Sequence, residues 1–377
     1  MINFPKAADI QQSIFIGNWT DSIPIYHIPS MHALNQLVGY IKHINSGQGT
    51  VLYRGQCDLY QKVIPSIYHN EQTINKNIQL LQNAIDAILH DEPFLHFLGV
   101  RNNQINGWNL YEKLIIEAAF QHYGAKTYCV DFVDNHWTAL WFGLNRLNQT
   151  NHYTLRNDTE NDIGKRFITF SDNYCKKEYP VQPTISNIKI SDNKLENLKI
   201  NASHGTISLE ELIEKVSQCK FKSDYKNWQK ACAEIQDYNT QFKNREQAAH
   251  LYLFLYVAET NASCINGLYL GENTYTIDLR KALPSTFLRP CSQHGWIVRG
   301  KKEEFDYNSR IVCVIRVNVN LAKQMLGNGS LLSQANFFPN ENIDQGYKIL
   351  LERQQESRIK SKYNKIIPAG MIQDFNI

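Results

Sequence analysis

Val51-Leu52-Tyr53-Arg54-Gly55-Gln56 reads as a short buried β-strand with a charge set at its end. The apolar run from Thr50 to Tyr53 supplies the strand. Arg54 then places a permanent cation against it, and Gly55 leaves the backbone without a Cβ, so that a ligand or another strand can come close. A guanidinium is a planar fork of five donors suited to phosphates and carboxylates. Burying one without a partner is costly. Two readings of Arg54 therefore stand side by side: a structural ion pair with an internal carboxylate such as Asp131, or an anchor for a ligand.

The rest of the chain bounds what surrounds this strand. Its 377 residues allow one large domain or two ordinary ones. With 39 basic and 36 acidic residues the net charge is only +3, which gives no bulk electrostatic argument for nucleic acid. Met1–Thr20 lacks the basic-then-apolar pattern of a secretory signal. The longest apolar run, Leu251–Ala258, is far short of the ~20 residues a membrane span needs. The expectation is a cytoplasmic protein with no membrane partner. Eight cysteines occur without a CxxC pair, which favours reduced thiols over disulfides and gives no metal site. HExxH, GxSxG, GxGxxG and Walker-type loops are absent from the sequence.

Periodicity places the elements. Residues 1–24 show little of it and read as an N-terminal arm. Ser30 caps a helix whose apolar face runs from Met31 to Ile44. Ile74–Ile88 and Trp108–His122 give further helices, Gly124 ends the second, and a strand over Lys126–Asp131 leads to a helix carrying Trp137 and Trp141. Residues 171–262 read as a polar and helical insertion. Within it Ser208 and Glu211 form a capping-box signature, and Tyr225–Phe242 and Arg245–Glu259 fit helices, the latter apolar almost all round. Strands return at Gly267–Leu270, Gly295–Arg299 and Arg310–Val319. A last helix begins at Asp344, and residues 353–377 form a C-terminal basic helix and tail in which interleaved glutamates favour a solvated face over a nucleic-acid footprint. The spacing predicts an α+β fold, with a central mixed, mostly antiparallel sheet flanked by helices.

Four stretches, in order, resemble the FRG-domain family, named for its Phe-Arg-Gly motif. Tyr53-Arg54-Gly55-Gln56 with Ile64-Pro65-Ser66 is similar to its opening. Gln121-His122-Tyr123-Gly124, Asp131 and Ala139-Leu140-Trp141-Phe142 resemble its core. Arg289-Pro290-Cys291-Ser292-Gln293-His294-Gly295-Trp296 resembles a later element, and Asn336-Phe337-Phe338-Pro339 its tail. Tyr53 stands where the family has Phe. The resemblance implies an FRG-like domain over residues 25–352 of a bacterial or phage-associated protein, and some such proteins lie near defence genes.

The motif order is also similar to that of ADP-ribosyltransferases. This more distant likeness implies NAD as cofactor, an acceptor that is a protein or a nucleic acid, and a role as a defence toxin. By the same likeness Arg54, Asp131 and Gln293 would be catalytic. Tyr53, Arg54, Gly55, Gln56, His122, Tyr123, Trp137 and Arg289 would bind the cofactor. Such transferases finish with a glutamate; Gln293-His294-Gly295 carries none. That difference keeps open a catalytically silent module that binds a nucleotide or another phosphate-bearing small molecule and signals to a protein partner, and behind it a nucleic-acid-binding protein.

The residues themselves admit structural alternatives. His122 is a helix C-terminal residue or an acid–base group. Gln293 is a bulge residue or a ribose contact. Trp137 and Trp141 are core or a stacking platform. Arg289, preceding Pro290, is expected in extended backbone.

Overall fold

A computed structural model describes residues 2–20, 22–100, 108–147, 153–155, 199–202, 205–208, 249–327 and 332–355. The chain forms two compact units, residues 1–157 with 250–377, and residues 158–249. In the second, the described residues form one hairpin, β7 (Lys199–Ala202) with β8 (Gly205–Ser208).

The first unit is built on a ten-stranded sheet ordered β1-β2-β14-β9-β3-β4-β13-β12-β11-β10. Its strands are β1 (Ile14–Asn18), β2 (Pro24–Ile28), β3 (Thr50–Gln56), β4 (Cys129–Val133), β9 (His250–Ala258), β10 (Cys264–Ile265), β11 (Leu268–Leu270), β12 (Thr274–Asp278), β13 (Gly295–Gly300) and β14 (Ile311–Asn318). β14 runs parallel to β2, and the other neighbours are antiparallel. With helices packed against it, the fold is α+β. A short hairpin, β5 (Asn145–Leu147) with β6 (Tyr153–Leu155), stands apart from this sheet.

Helices α1 (Met31–Ile44), α2 (Ile74–Leu89), α3 (Glu92–Phe97), α4 (Trp108–His122) and α5 (His136–Leu144) precede β9. Helices α6 (Leu279–Ala282), α7 (Leu288–Gln293), α8 (Val319–Met325), α9 (Gln334–Phe337) and α10 (Gln345–Gln355) follow it. α1 starts where the sequence predicts, with Ser30 Oγ accepting from Ala33 N at 3.2 Å. It joins α5 and α8 over the β2-β14-β9-β3 half of the sheet. α2, α3, α4 and α10 cover the half that contains β13 and β12.

Several expectations are corrected. The run Arg245–Glu259, read as a buried helix, contains β9 instead. Leu251, Leu253, Leu255 and Val257 face the α1–α5 layer, while Tyr252, Phe254, Tyr256 and Ala258 face the opposite core. Both faces are buried, so the polar alternation that marks a strand is missing. The alternation that is present sorts Leu from aromatic. Arg289 lies in the first turn of α7, not in extended backbone; Pro290 is tolerated there because first-turn N–H groups have no helical partner to lose. The opening residues are laid against the sheet: β1 pairs with β2, Ile10 is buried, and Tyr26 Oη donates to Pro5 O at 3.1 Å. Ser208 ends β8, and the helices expected after it and over Tyr225–Phe242, with the basic residues Arg358, Lys360, Lys362 and Lys365, lie outside the described residues. Among the described residues no helix is long and apolar enough to cross a membrane.

Candidate functional site

The two halves of the sheet are joined through a single residue pair. β3 pairs with β9 along all seven of its residues, from Thr50↔Ala258 to Gln56↔Tyr252, but pairs with β4 only at Tyr53↔Val133. Past that point β3 and β4 diverge, and Arg54 fills the divergence. Its Nη1 donates to the Asp131 main-chain carbonyl at 2.7 Å, so the guanidinium replaces a ladder bond that the split leaves out.

A cleft of about 630 Å³ opens at this split, within the usual range for small-molecule sites. The ends of α4 and α5 form its walls through Gln121, His122, Phe142 and Asn145. Gln293 of α7 and Phe338 close it, and the irregular segment 57–65 contributes Tyr60, Lys62 and Ile64. Arg54, Lys62 and Lys126 bring three permanent cations to the lining; Asp131 is the one carboxylate among the lining residues.

The end of α4 is aimed by its cap. Gly124 adopts φ 96°, Gly124 N donates to Gln121 O at 3.0 Å, and Ala125 N donates to Phe120 O at 2.9 Å. This is a Schellman closure, in which a left-handed glycine ends the helix. Gln121 and His122 thereby reach the cleft. Gln121 Nε2 donates to Asp131 Oδ2, while its Oε1 accepts from Thr127 Oγ1 and, at 3.3 Å, from Ser66 Oγ. Ser66 Oγ also accepts from Thr127 N at 3.2 Å. One network thus links the Pro65-Ser66 turn, the end of α4 and β4.

His122 is held beneath the network. Its side chain is 5% exposed, with Nδ1 3.9 Å from Asp131 Oδ1. A Cβ at Gly295 would come within 2.7 Å of His122 Cε1, so the missing side chain makes room for the imidazole. His122 Nε2 and Gln56 Oε1 are buried without a hydrogen-bond partner among the described residues. Buried polar atoms are usually paired, and these two belong to cleft-lining residues. Burial lowers the pKa of His69 at the rim, and Lys126 and Arg54 press it the same way.

Tyr53, Arg54, Gly55, Gln56, His122, Asp131 and Gln293 all line the cleft, and three of them have structural tasks that the sequence did not disclose. A Cβ on Gly55 would fall onto the Ala139 carbonyl oxygen and stand 2.8 Å from Gly143 N. The glycine therefore seats α5 on β3, rather than leaving backbone open to a ligand. Tyr53 is fully buried in the α1–α5 core, 5.9 Å from the His136 ring. Gln293 Nε2 donates to Phe337 O at 2.8 Å. Arg54 also departs from the structural reading, because the Asp131 group it meets in that bond is the carbonyl.

Three expected cofactor contacts lie off the cleft. Tyr123 is buried, donates to Asp344 Oδ2 at 2.7 Å and stacks on Tyr347 at 5.3 Å. Arg289 is 1% exposed, its guanidinium 4.5 Å from the Tyr123 ring centre, 4.9 Å from Tyr347 and 5.1 Å from Phe338. Trp137 is half-buried against the α1–α5 core. Sequence reasoning missed Lys62, Lys126 and Tyr60, which sit in loops with no periodic signal. Among the described residues no group of three or more His, Cys, Asp or Glu is placed to hold a metal ion.

The FRG-domain family model matches residues 49–152. Over these residues the chain matches an FRG domain. The matched stretch brings Arg54, Lys62, Gln121, His122, Lys126, Asp131 and Phe142 to the cleft, while Gln293 and Phe338 come from outside it. No curated protein and no solved structure matches the chain. In the FRG triplet as it stands here, Tyr53 anchors the core, Arg54 bridges the split and Gly55 seats α5.

Proposed function

We propose that the FRG-domain cleft binds a phosphate-bearing nucleotide and that the protein uses NAD as an ADP-ribosyltransferase-like enzyme. The observation carrying this reading is the charge arrangement: three permanent cations and one carboxylate around a single cleft. Arg54 suits a pyrophosphate because its fork can form two charge-assisted bonds at once. Lys62 and Lys126 add point charges at the exposed rim. Asp131 is the group that fits the reacting ribose. With NAD bound, the chemistry supplied would be cleavage of its nicotinamide–ribose bond, with neutral nicotinamide as leaving group and an acceptor hydroxyl, amine or water, losing its proton, as nucleophile; the Asp131 carboxylate would stabilise the positive charge developing on the ribosyl carbon. Gln121 holds Asp131 in place for this role. A part in defence against phage rests on the family resemblance alone.

A second reading, a silent nucleotide-binding module that signals to a protein partner, is favoured by one observation. Gln293, in the region where transferases carry glutamate, uses its amide to fix the Phe337 carbonyl. Nicotinamide release, followed beside calorimetric binding of NAD, separates the two. The enzyme reading expects release that Asp131→Asn lowers by at least tenfold and Arg54→Ala abolishes together with binding. Binding without release would leave the module. A folded protein that neither binds nor consumes NAD would refute the use of NAD.

A further inference from the structure

We propose that the mouth of the cleft is a base subsite, in which Tyr60 and Ile64 hold the aromatic ring of a nucleotide whose phosphates meet Lys62 at the rim and Arg54 further in. The proposal rests on the nucleotide reading above and adds to it which end of the ligand faces out.

Among the described residues, ten large hydrophobics are exposed, and two of them, Tyr60 at 52% and Ile64 at 39%, line the cleft. They stand four positions apart on the irregular segment 57–65, with Lys62 between them. The segment is nevertheless fixed. Trp19 Nε1 donates to Tyr60 O at 2.7 Å, and Val63 N donates to Asn308 Oδ1 at 3.0 Å. Val63 itself is buried in the core on the sheet face opposite the helices, and Ile67 N donates to Thr127 O at 3.2 Å. An exposed aromatic and an exposed branched chain thus flank a buried valine on a pinned base. Such a surface meets a flat ring without having to order itself first. Every nucleobase has a π-face, so one tyrosine accepts different bases.

The inner end has the complementary chemistry. Arg54 and Gln56, two positions apart on β3, lie on the same face of the strand. Gln56 and His122 also line the cleft, with their Oε1 and Nε2 atoms buried behind its wall. An apolar rim carrying Lys62, with Arg54 further in, matches the base and the phosphates of a nucleotide, whose ribose joins the two.

The test is calorimetric binding of ADP and of inorganic pyrophosphate to the wild type, Tyr60→Ala and Tyr60→Phe, with circular dichroism confirming each fold. The expected result is that Tyr60→Ala weakens ADP by about 5- to 150-fold, as loss of one base–aromatic stack does, leaves pyrophosphate within about twofold, and that Tyr60→Phe retains ADP. ADP binding unchanged in Tyr60→Ala, or ADP and pyrophosphate weakened equally, would overturn the subsite while the phosphate site stood. A folded wild type that binds neither probe would refute the nucleotide reading, and the subsite with it.

Discussion

Gly55→Ala isolates what the glycine of the FRG triplet does. The added Cβ would lie on top of the Ala139 carbonyl oxygen, 2.7 Å from its carbon and 2.8 Å from Gly143 N. All three obstructing atoms are main chain, so no side-chain rotation relieves them. α5 would have to lift from β3, loosening Ala139, Leu140, Trp141 and Leu144, which are 0–3% exposed in the core beneath it. Overpacking a close-packed core costs about 1–3 kcal/mol and occasionally more. With backbone as the obstacle the expectation is the upper end, about 3 kcal/mol or beyond. At about 2–4 °C per kcal/mol for a domain of this size, the melting temperature should fall by about 6–12 °C. Gly143→Ala is the matched control: its Cβ would meet the flexible Leu251 Cδ1 at 3.1 Å and Gln56 main-chain atoms at 3.4 Å. That mild crowding opposes a helix-propensity gain of about 0.5–1 kcal/mol, so the net change should be within about 1 kcal/mol. Urea denaturation of both variants decides the matter. A Gly55→Ala protein as stable as the wild type but deficient in ligand binding would refute the packing role and restore the glycine as a ligand contact.

Other perturbations test separate parts of the structure. Tyr53→Phe should cost nothing or stabilise by up to about 1 kcal/mol in chemical denaturation, because the buried Tyr53 hydroxyl has no hydrogen-bond partner among the described residues; a loss above 1 kcal/mol would show that the hydroxyl is bonded. Burial, aided by Lys42, lowers the pKa of His136 from 6.5 to about 4. The unfolded chain therefore takes up that proton first, and stability present above pH 6.5 drains away as the pH falls towards 4. His136→Gln should flatten the dependence over that window, and an unchanged slope would assign it to other groups. Arg289→Lys should cost about 1–2 kcal/mol, since an ammonium cannot lie flat among the Tyr123, Tyr347 and Phe338 rings. It should also weaken cleft binding, measured with NAD, because Phe338 is a cleft wall.

Motif residues were legible where chemistry and geometry coincide. An apolar run ending in Arg-Gly placed β3, and Ser30 and Gly124 announced the start of α1 and the end of α4. Arg54, His122 and Asp131 were singled out as site residues, and they meet at one cleft because the end of α4 and the split in the sheet face each other. The task of Gly55 was hidden because a missing Cβ looks the same in sequence whether the visitor is a ligand or a helix. β9 was misread because burial on both faces removes the polar half of the strand pattern, leaving only Leu-Tyr-Leu-Phe-Leu-Tyr to sort the sides. Arg289 was placed by its following proline, a rule that loses its force in the first turn of a helix. Lys62 and Lys126 were two among 39 basic residues with no local mark, and only the path of the chain brings them beside Arg54.

The order of strands in the sheet also sets a timetable. Thr50, at the start of β3, is bonded to Thr260, 210 positions later. At about 5–20 residues per second, ribosomal synthesis of that interval takes about 10–40 s, during which β3 has no sheet neighbour on its β9 side. β2 waits longer still, because β14 lies between it and β9. The stretch that matches the FRG family, residues 49–152, therefore holds two strands of this sheet that share one residue pair, and should not fold when expressed alone. A nascent or prematurely terminated chain that stops before β9 would carry Arg54, His122 and Asp131 with β3 and β4 joined only at Tyr53↔Val133 and without their outer neighbours β9 and β13. The cleft is a late product of synthesis, lined in part by Gln293 and Phe338, and no early fragment of this protein can complete it.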